Sequence, residues 1–286
     1  MDGDAAKKID GLEKEVRDLK EEISRLRHAL GNGVEEMLAR RGFRIYRKER
    51  DKDVLKSGAQ FKEEFYSLMG KYSFRLFLRD VIKYQGGFTP EGLSRFIGDE
   101  AAREFGEFLI KSGLAKELGD GRLSLSHGPV KSFGPTLEWY LAEVMKRELY
   151  ADAVWGVSFR EAGTGGDYDL LAALEGLLIY AEVKSSPPKQ IYDTEIASFI
   201  DRTLKLSPHL SLFIVDTELR MKDKIVFMFE QTLPKSSLGA TPVVRWKDEL
   251  FRVGERIFIV NSKGGFIQNI KDVIAAFLKE RACQAA

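Results

Sequence analysis

The sequence has little cysteine, no long apolar run and no excess of charge of either sign, and each absence excludes a class of protein. Its only cysteine is Cys283 in a chain of 286 residues, which excludes a disulfide framework and a zinc site built from thiolates. The longest mostly apolar stretch, residues 170–181, contains Glu175 and is shorter than the roughly 18 residues that a membrane-spanning helix needs. The 45 basic and 44 acidic side chains leave a net charge of +1, so no global attraction to nucleic acid is expected.

The composition is that of a folded protein. Hydrophobic residues make up 44% of the chain and charged residues 31%, which excludes a disordered or fibrous chain. The length leaves room for about two domains. The first residues lack the apolar core of a signal peptide, and the scarcity of cysteine suits a reducing compartment. We therefore expect a cytoplasmic protein that does not bind a membrane.

Residues 9–30 carry apolar side chains at alternating spacings of three and four, which is the pattern of a coiled-coil seam. The seam consists of Ile9, Leu12, Val16, Leu19, Ile23, Leu26 and Leu30. In a parallel dimer, oppositely charged residues would meet as Lys8 with Glu13, Glu15 with Lys20, and Glu22 with Arg27. The pattern predicts a homodimer through a parallel coiled coil. A single amphipathic helix lying on the protein body is the alternative.

A basic stretch follows at residues 40–56, with a net charge of +5 in 17 residues. Such a segment can neutralise the phosphates of nucleic acid. A solvated linker of mixed charge has a similar composition and remains the alternative. The candidate phosphate-binding residues are Arg44, Arg47, Lys48 and Arg50.

Residues 61–130 have the pattern of three short helices followed by a β-hairpin. The third helix is expected to begin at Asp99 and end at Gly113, and glycines at 119 and 121 mark the hairpin turn. This order of elements resembles a winged helix, a fold that inserts its third helix into DNA. Here that helix carries four acidic residues against two basic ones, so it would repel phosphates. We expect a role in spacing or protein contact in preference to reading a DNA sequence.

From residue 134 the pattern changes to short apolar strands between helices, which is typical of an α/β fold with a mixed sheet. Strands are expected at 153–159, 168–173, 177–184, 210–215, 224–229 and 256–260, and helices at 135–150, 191–206 and 268–281. We divide the chain into a coiled-coil helix (1–33), a basic linker (34–60), a winged-helix-like domain (61–130) and an α/β domain (131–286).

Acidic residues and a lysine are predicted to meet at one edge of this sheet. A turn at residues 174–176 joins two apolar runs into a hairpin. On the second strand Glu182 and Lys184 are two apart and share a face, and the first strand begins with Asp167 and Asp169, which are also two apart. Such carboxylates suit Mg²⁺ or Mn²⁺, and a nearby lysine can hold water or phosphate. The alternative for Glu182 and Lys184 is an ion pair at an exposed sheet edge.

These residues resemble the motif of the PD-(D/E)XK nuclease superfamily, which includes Holliday junction resolvases and many restriction enzymes. In that family an Asp opens one strand, and an apolar-x-Glu-x-Lys motif ends the next. Here Asp169 precedes an apolar run, and residues 180–184 read Tyr-Ala-Glu-Val-Lys. A tyrosine stands where the family has proline before the Asp, and Asp167 remains an alternative to Asp169. The resemblance covers roughly residues 134–216, under a third of the chain.

The resemblance implies a restriction-endonuclease-like mixed sheet flanked by helices. It also implies a Mg²⁺-dependent or Mn²⁺-dependent nuclease that hydrolyses phosphodiester bonds, with DNA favoured over RNA as the partner. In this family Asp169, Glu182 and the backbone carbonyl of Val183 would bind the metal, and Lys184 would orient and help deprotonate the attacking water.

Two further residues are candidates for the site. Members of the superfamily often have an acidic residue in a preceding helix, and Glu138 borders the apolar stripe of the helix expected at 135–150. A carboxylate that stabilises the helix dipole is the alternative for Glu138. Lys189, just beyond the motif, could contact a phosphate or simply face solvent.

A different class of function is also compatible with the sequence. The chain could be a non-catalytic dimeric adaptor or regulator that retains the nuclease fold and binds DNA or protein. The near-neutral charge and the acidic third helix favour this alternative. Metal binding distinguishes the two, because only the enzyme requires it.

Overall fold

The computed structural model describes residues 2–29, 33–126, 128–160 and 167–285. The helices are α1 (Asp2–Ala29), α2 (Val34–Arg40), α3 (Lys62–Met69), α4 (Tyr72–Lys83), α5 (Asp99–Lys111), α6 (Gly134–Glu148), α7 (Asp193–Leu206), α8 (Phe227–Thr232) and α9 (Phe266–Ala285). The strands are β1 (Ile45–Arg47), β2 (Ala115–Gly119), β3 (Arg122–Leu125), β4 (Asp152–Phe159), β5 (Tyr168–Leu174), β6 (Leu177–Lys184), β7 (Leu210–Val215), β8 (Val243–Lys247), β9 (Leu250–Val253) and β10 (Ile257–Asn261).

One mixed sheet organises the α/β part of the chain. Within the described ranges it has eight strands in the order β1-β4-β5-β6-β7-β10-β9-β8. Strands β6, β7 and β10 run parallel to their neighbours in this group, and the outer pairs are antiparallel. The predicted mixed sheet flanked by helices is confirmed, and it is consistent with a restriction-endonuclease-like fold.

The sheet is buried on both faces. Helices α6 and α9, together with the middle helices, cover one face, where Leu137, Phe258 and Phe277 pack. Helices α2, α7 and α8 cover the other, where Phe199 and Phe213 pack. Because both faces are covered, the central strands read as continuous apolar runs without polar alternation. A charged residue within these strands is therefore an exception that needs a partner.

Helix α1 leaves its apolar stripe exposed. The described seam residues are 48% to 63% exposed, so the protein body does not cover them. They are Ile9, Leu12, Val16, Leu19, Ile23 and Leu26. Leu30 lies outside the described residues. The coiled-coil dimer stays a prediction.

The middle of the chain packs directly on the α/β part. Phe65 on α3 stacks near Trp139 on α6, with ring centroids 5.8 Å apart. Strands β2 and β3 form a hairpin, and Leu123 on β3 also forms an isolated β-bridge with Phe88 in the segment between α4 and α5. One apolar cluster therefore runs from this region into the sheet. The domain boundaries and the winged-helix comparison stay predictions.

Two segments differ from the sequence expectation. Residues 34–60, expected as a linker, contribute α2 and also β1, which pairs antiparallel with β4. Residues 224–229, expected as a strand, are helical, because Lys222–Val226 forms a π-helical turn that continues into α8. A short buried apolar run does not distinguish strand from helix by its periodicity. No helix among the described residues has the length and apolar character to cross a membrane.

Candidate functional site

The predicted acidic residues meet where β5 begins and β6 ends. Leu170 pairs with Ala181 in the antiparallel register, so the next residues outward, Asp169 and Glu182, lie side by side at the edge of the sheet. The Asp169 carboxylate accepts a hydrogen bond from the backbone N–H of Val183, with N···Oδ2 of 2.7 Å. The two-residue turn of the hairpin thus fixes both carboxylates in one place.

Glu182 is buried and held from several sides. The residue is 3% exposed, and a buried carboxylate is costly unless it is paired. Its Oε1 accepts a hydrogen bond from Lys184 Nζ at 3.0 Å, and its Oε2 accepts one from Arg202 Nη1 at 2.8 Å. The hydroxyl of Tyr180 also donates to Oε2. The ion pair of Glu182 with Lys184 is therefore part of a buried network and not an exposed edge pair.

Lys184 is held as an ammonium ion between two carboxylates. Its Nζ lies 3.0 Å from Glu182 Oε1 and 2.8 Å from Glu195 Oε1 on α7. Burial by itself would lower the pKa of Lys184, but the charge of Glu182 and the hydrogen bonds that Lys184 donates to Glu195 and Glu182 outweigh it and raise the pKa. In this state Lys184 is a hydrogen-bond donor and carries a positive charge. Its action on an attacking water stays a prediction.

The site contains three neighbouring carboxyl groups, those of Asp169, Glu182 and Glu138, whose negative charges repel one another. Burial, followed by the charges of Glu182 and Glu138, raises the pKa of Asp169 well above its ordinary value. Burial and the charge of Glu182 likewise raise the pKa of Glu138 to about 8. Glu138 reaches the site from α6 and lies next to Gly156 on β4. A Cβ added to Gly156 would lie 3.8 Å from Glu138 Oε2, and the φ of +58° at this position favours glycine. Like charges that raise each other's pKa form a site that a cation would stabilise.

This donor set fits a hard divalent cation. Among the described residues, no group of three or more His, Cys, Asp or Glu side chains is arranged to enclose a metal by itself. Mg²⁺ does not require such a cage, because it commonly takes one or two carboxylates and keeps several waters. A carboxylate offers about four acceptor sites, and three of those on Glu182 are used here. One acceptor site on Glu182 and most of those on Asp169 therefore remain for a metal.

Asp167 and Asp169 have different hydrogen-bond partners. Asp167 accepts hydrogen bonds from Arg47 Nη2 at 3.0 Å and from Arg50 Nη2 at 3.1 Å, and Ser158 also donates to it. Burial alone would raise the pKa of Asp167, but the hydrogen bonds from Ser158 and Arg47 outweigh it and lower the pKa. Asp167 is thus neutralised by the basic stretch, whereas Asp169 faces Glu182.

The predicted phosphate-binding residues are placed in different surroundings. Arg47 and Arg50 pair with Asp167, and Lys48 pairs with Glu35. Arg44 and Lys189 are exposed. Phosphate binding by these five residues stays a prediction.

Sequence reasoning missed the residues that α7 contributes. Glu195 and Arg202 are seven apart on this helix and so lie on one face, from which they bind Lys184 and Glu182 respectively. The sequence does contain a signal, because the helix that follows the Glu-x-Lys strand carries two opposite charges seven residues apart. Only the tertiary structure shows that these residues contact Lys184 and Glu182, because α7 must first pack on the sheet.

The raised pKa of Glu138 predicts how stability depends on pH in metal-free protein. The pKa of Glu138 is about 8 in the folded protein, so its carboxyl keeps its proton up to about pH 8, whereas in the unfolded chain it releases the proton near its ordinary pKa of 4.5. The folded state therefore binds more protons in this window, so the free energy of unfolding falls as pH rises. Between pH 5.5 and 8 we expect Glu138 to account for a fall of roughly 3 kcal/mol.

Urea unfolding in EDTA at both pH values measures this fall. Glu138→Gln should reduce it, whereas the control Glu143→Gln on the same helix should not, because the pKa of Glu143 is lowered and its titration lies below the window. An equal pH dependence in the wild type and Glu138→Gln would contradict the assignment.

Comparisons with known proteins add little to this site. No protein-family model and no curated protein matches the chain. The chain is similar to the solved structure of protein VC1899 from Vibrio cholerae, with a TM-score of 0.49 and 13% identity. It is also similar to Can2 from Sulfobacillus thermosulfidooxidans in complex with cyclic tetra-adenylate, with a TM-score of 0.45 and 14% identity. Each similarity covers 86% of this chain and 60% of the other, so the chain spans about three fifths of their length.

Proposed function

We propose that this chain is a metal-dependent nuclease that hydrolyses phosphodiester bonds, with DNA favoured over RNA. The observation that supports the proposal is the buried cluster at the edge of the sheet. There, burial and the charges of Glu182 and Glu138 raise the pKa of Asp169, and a charged Lys184 lies beside them. A cluster of this kind combines a cation site with a donor for a phosphate oxygen.

Asp169, Glu182 and the backbone carbonyl of Val183 would hold Mg²⁺ or Mn²⁺. When bound, such an ion polarises a phosphoryl oxygen and lowers the pKa of a bound water. Lys184 would donate a hydrogen bond to the phosphate or to the attacking water as an ammonium ion. Arg202 would keep the Glu182 carboxylate in one orientation, since it binds Oε2 from α7. Glu138 would accept a hydrogen bond from water on the α6 side of the site.

A second candidate function is a non-catalytic adaptor that binds DNA or protein. The observation that favours it is that both oxygens of Glu182 already accept hydrogen bonds from protein side chains. The carboxylate of Asp167 likewise neutralises Arg47 and Arg50, which would otherwise face phosphate. In that case the charges stabilise the fold and the protein would not need a divalent cation.

A cleavage panel with purified full-length protein tests the two candidates. Single-stranded, duplex and branched DNA and RNA would be incubated with Mn²⁺ or with EDTA, and Mn²⁺ binding would be measured by calorimetry. The nuclease proposal expects Mn²⁺ binding and cleavage that EDTA abolishes. Absence of both Mn²⁺ binding and cleavage of every substrate would leave the adaptor as the function.

We also propose that α1 forms the predicted parallel homodimer. The six described seam residues are about half exposed or more, and the sequence places opposite charges beside the seam at matching positions. A dimer would bring two sites into one particle. Paired cuts on two strands then become possible.

Deleting residues 1–30 is expected to halve the mass in solution, because it removes the seam. Leu19→Lys, which places a charge in the seam, should weaken the dimer, whereas Asp18→Lys on the outer face of the helix should not. Sedimentation equilibrium at micromolar concentration measures all three. A monomeric full-length protein would refute the dimer.

A further inference from the structure

The turn between β10 and α9 joins a strand of the central sheet to the N-terminus of a long helix. It reads Asn-Ser-Lys-Gly-Gly from residue 261 to residue 265, and α9 then runs for 20 residues. Gly264 and Gly265 have φ of +82° and +97°, a backbone conformation that favours glycine. The first N–H groups of a helix have no partner within the helix and carry a partial positive charge.

Asn269 on α9 donates hydrogen bonds to two backbone carbonyl groups of this turn. Its Nδ2 donates to the carbonyl oxygens of Asn261 at 2.8 Å and Lys263 at 2.9 Å. The N–H of Gly265 donates to the carbonyl of Ser262 at 2.9 Å. With these acceptors occupied, the groups that the turn leaves available are hydrogen-bond donors.

Two buried side-chain donors of the turn have no hydrogen-bond partner among the described residues. Asn261 and Ser262 are each 1% exposed, and within the described part of the chain neither Asn261 Nδ2 nor Ser262 Oγ makes a hydrogen bond. The amide orientation of Asn261 is fixed, because its Oδ1 accepts from the N–H of Lys263 at 3.3 Å. A buried unpaired donor costs about 1–3 kcal/mol. This cost is removed when an acceptor reaches the turn.

Lys263, the next residue of the turn, adds a positive charge. It is exposed and forms no ion pair among the residues that the structure describes. The carboxylate whose pKa it helps to lower, Glu249, is already held by the N–H of Met221 and by Arg245, each at 2.9 Å. A charged lysine, a helix N-terminus and unpaired donors together suit an anion with several acceptor oxygens, such as phosphate.

The turn lies at the same edge of the sheet as the candidate active site. Strands β6, β7 and β10 are parallel neighbours, so their carboxyl ends meet there. The N–H of Asp216 donates to the carbonyl of Lys184 at 2.8 Å, and the N–H of Ser262 donates to the carbonyl of Thr217 at 3.0 Å. Strands β6 and β10 are separated by two strand spacings, or about 10 Å. A nucleic-acid strand whose phosphate lies at Lys184 can therefore place another phosphate at the turn.

We propose that the β10–α9 turn binds a backbone phosphate of the nucleic-acid strand. This assignment rests on the proposed function for its choice of ligand. Lys263 supplies the charge, Ser262 and Asn261 supply side-chain donors, and the N-terminus of α9 supplies backbone N–H groups. The site binds phosphate without a divalent cation, because the groups that would hold the phosphate are hydrogen-bond donors and one lysine.

Binding in EDTA tests the proposal separately from cleavage. The probe is a fluorescein-labelled 15-nucleotide single-stranded DNA, followed by anisotropy with full-length protein at several salt concentrations. We expect Lys263→Gln to weaken binding about fivefold and to reduce the slope of log affinity against log salt by about 0.7. Lys279→Gln, the same charge change near the other end of α9, is the control and should leave both unchanged. Ser262→Ala should weaken binding without changing the salt slope.

Three results would overturn the assignment. One is equal binding by the wild type and Lys263→Gln, and another is equal binding of a methylphosphonate strand that lacks the charges. The third is binding of inorganic phosphate at this turn with no binding of the DNA, which would make free phosphate the ligand. A chain that cuts DNA but binds it independently of Lys263 would retain the proposed function and lose this site. A chain that cuts nothing but shows the Lys263 dependence would retain the site and lose the nuclease proposal.

Discussion

Asp169→Asn and Glu182→Gln are each expected to reduce cleavage on the order of a thousandfold, which corresponds to roughly 4 kcal/mol of transition-state stabilisation. Both substitutions remove a carboxylate that would hold the metal, so Mn²⁺ binding measured by calorimetry should weaken in parallel. Lys184→Met should also stop turnover but leave Mn²⁺ binding in place, because its ammonium group contacts the carboxylates and would not contact the metal. The separation of the two phenotypes is the expected signature of the site.

The same variants are expected to differ in stability. Asp169→Asn removes a like charge from the cluster, so metal-free protein should be as stable as the wild type or more stable. Glu182→Gln instead removes the charge that neutralises Lys184 and Arg202, both of which are largely buried, and should lower the free energy of unfolding. Equal stability would be expected for a carboxylate at a solvated sheet edge, but Glu182 is only 3% exposed.

Asp167→Asn is the internal control for the cleavage experiment. Asp167 binds Arg47 and Arg50, and we expect only a mild loss of activity when it is replaced. Complete loss in Asp167→Asn together with an active Asp169→Asn would reverse the assignment of the metal-binding aspartate.

Asp216→Ala is expected to lower the free energy of unfolding by about 3–5 kcal/mol, because it leaves a buried arginine unpaired. Asp216 is fully buried and Arg75 is 1% exposed. The carboxylate accepts hydrogen bonds from Arg75 Nε and Nη2, both at 3.0 Å, and from Arg79. Arg75 also donates to the carbonyl of Met69 at 2.7 Å. The pair therefore ties α4 to the end of β7.

Urea unfolding measures this loss against a matched control. Asp201→Ala removes an aspartate that is 58% exposed and pairs with Lys205 four residues later, so the change should be within about 1 kcal/mol. The double variant Arg75→Met with Asp216→Leu should recover part of the stability, since it removes the two fully buried charges. Arg79, whose side chain is 17% exposed, still loses its carboxylate in this variant. A small effect of Asp216→Ala, equal to that of Asp201→Ala, would show that water or other groups solvate Arg75.

The amino-acid sequence by itself determined the features that depend on local geometry. The apolar stripe of α1 follows from a repeat of three and four residues. The approach of Asp169 to Glu182 follows from a tight turn and the two-residue period of the strands, which together set the register of the hairpin. Both can be predicted because every residue involved lies within one helix or one hairpin.

Only the tertiary structure decided the contacts between distant segments. Arg75 and Asp216 are 141 positions apart, and Glu182 meets Arg202 only because α7 packs on the face of the sheet that carries the carboxylate. Strand β1 joins the sheet from a segment that reads as a basic linker, and residues 224–229, for which the sequence favoured a strand, are helical. Local patterns cannot predict these outcomes, because the free energy that decides them comes from burial and charge pairing between segments whose relative positions the sequence does not display.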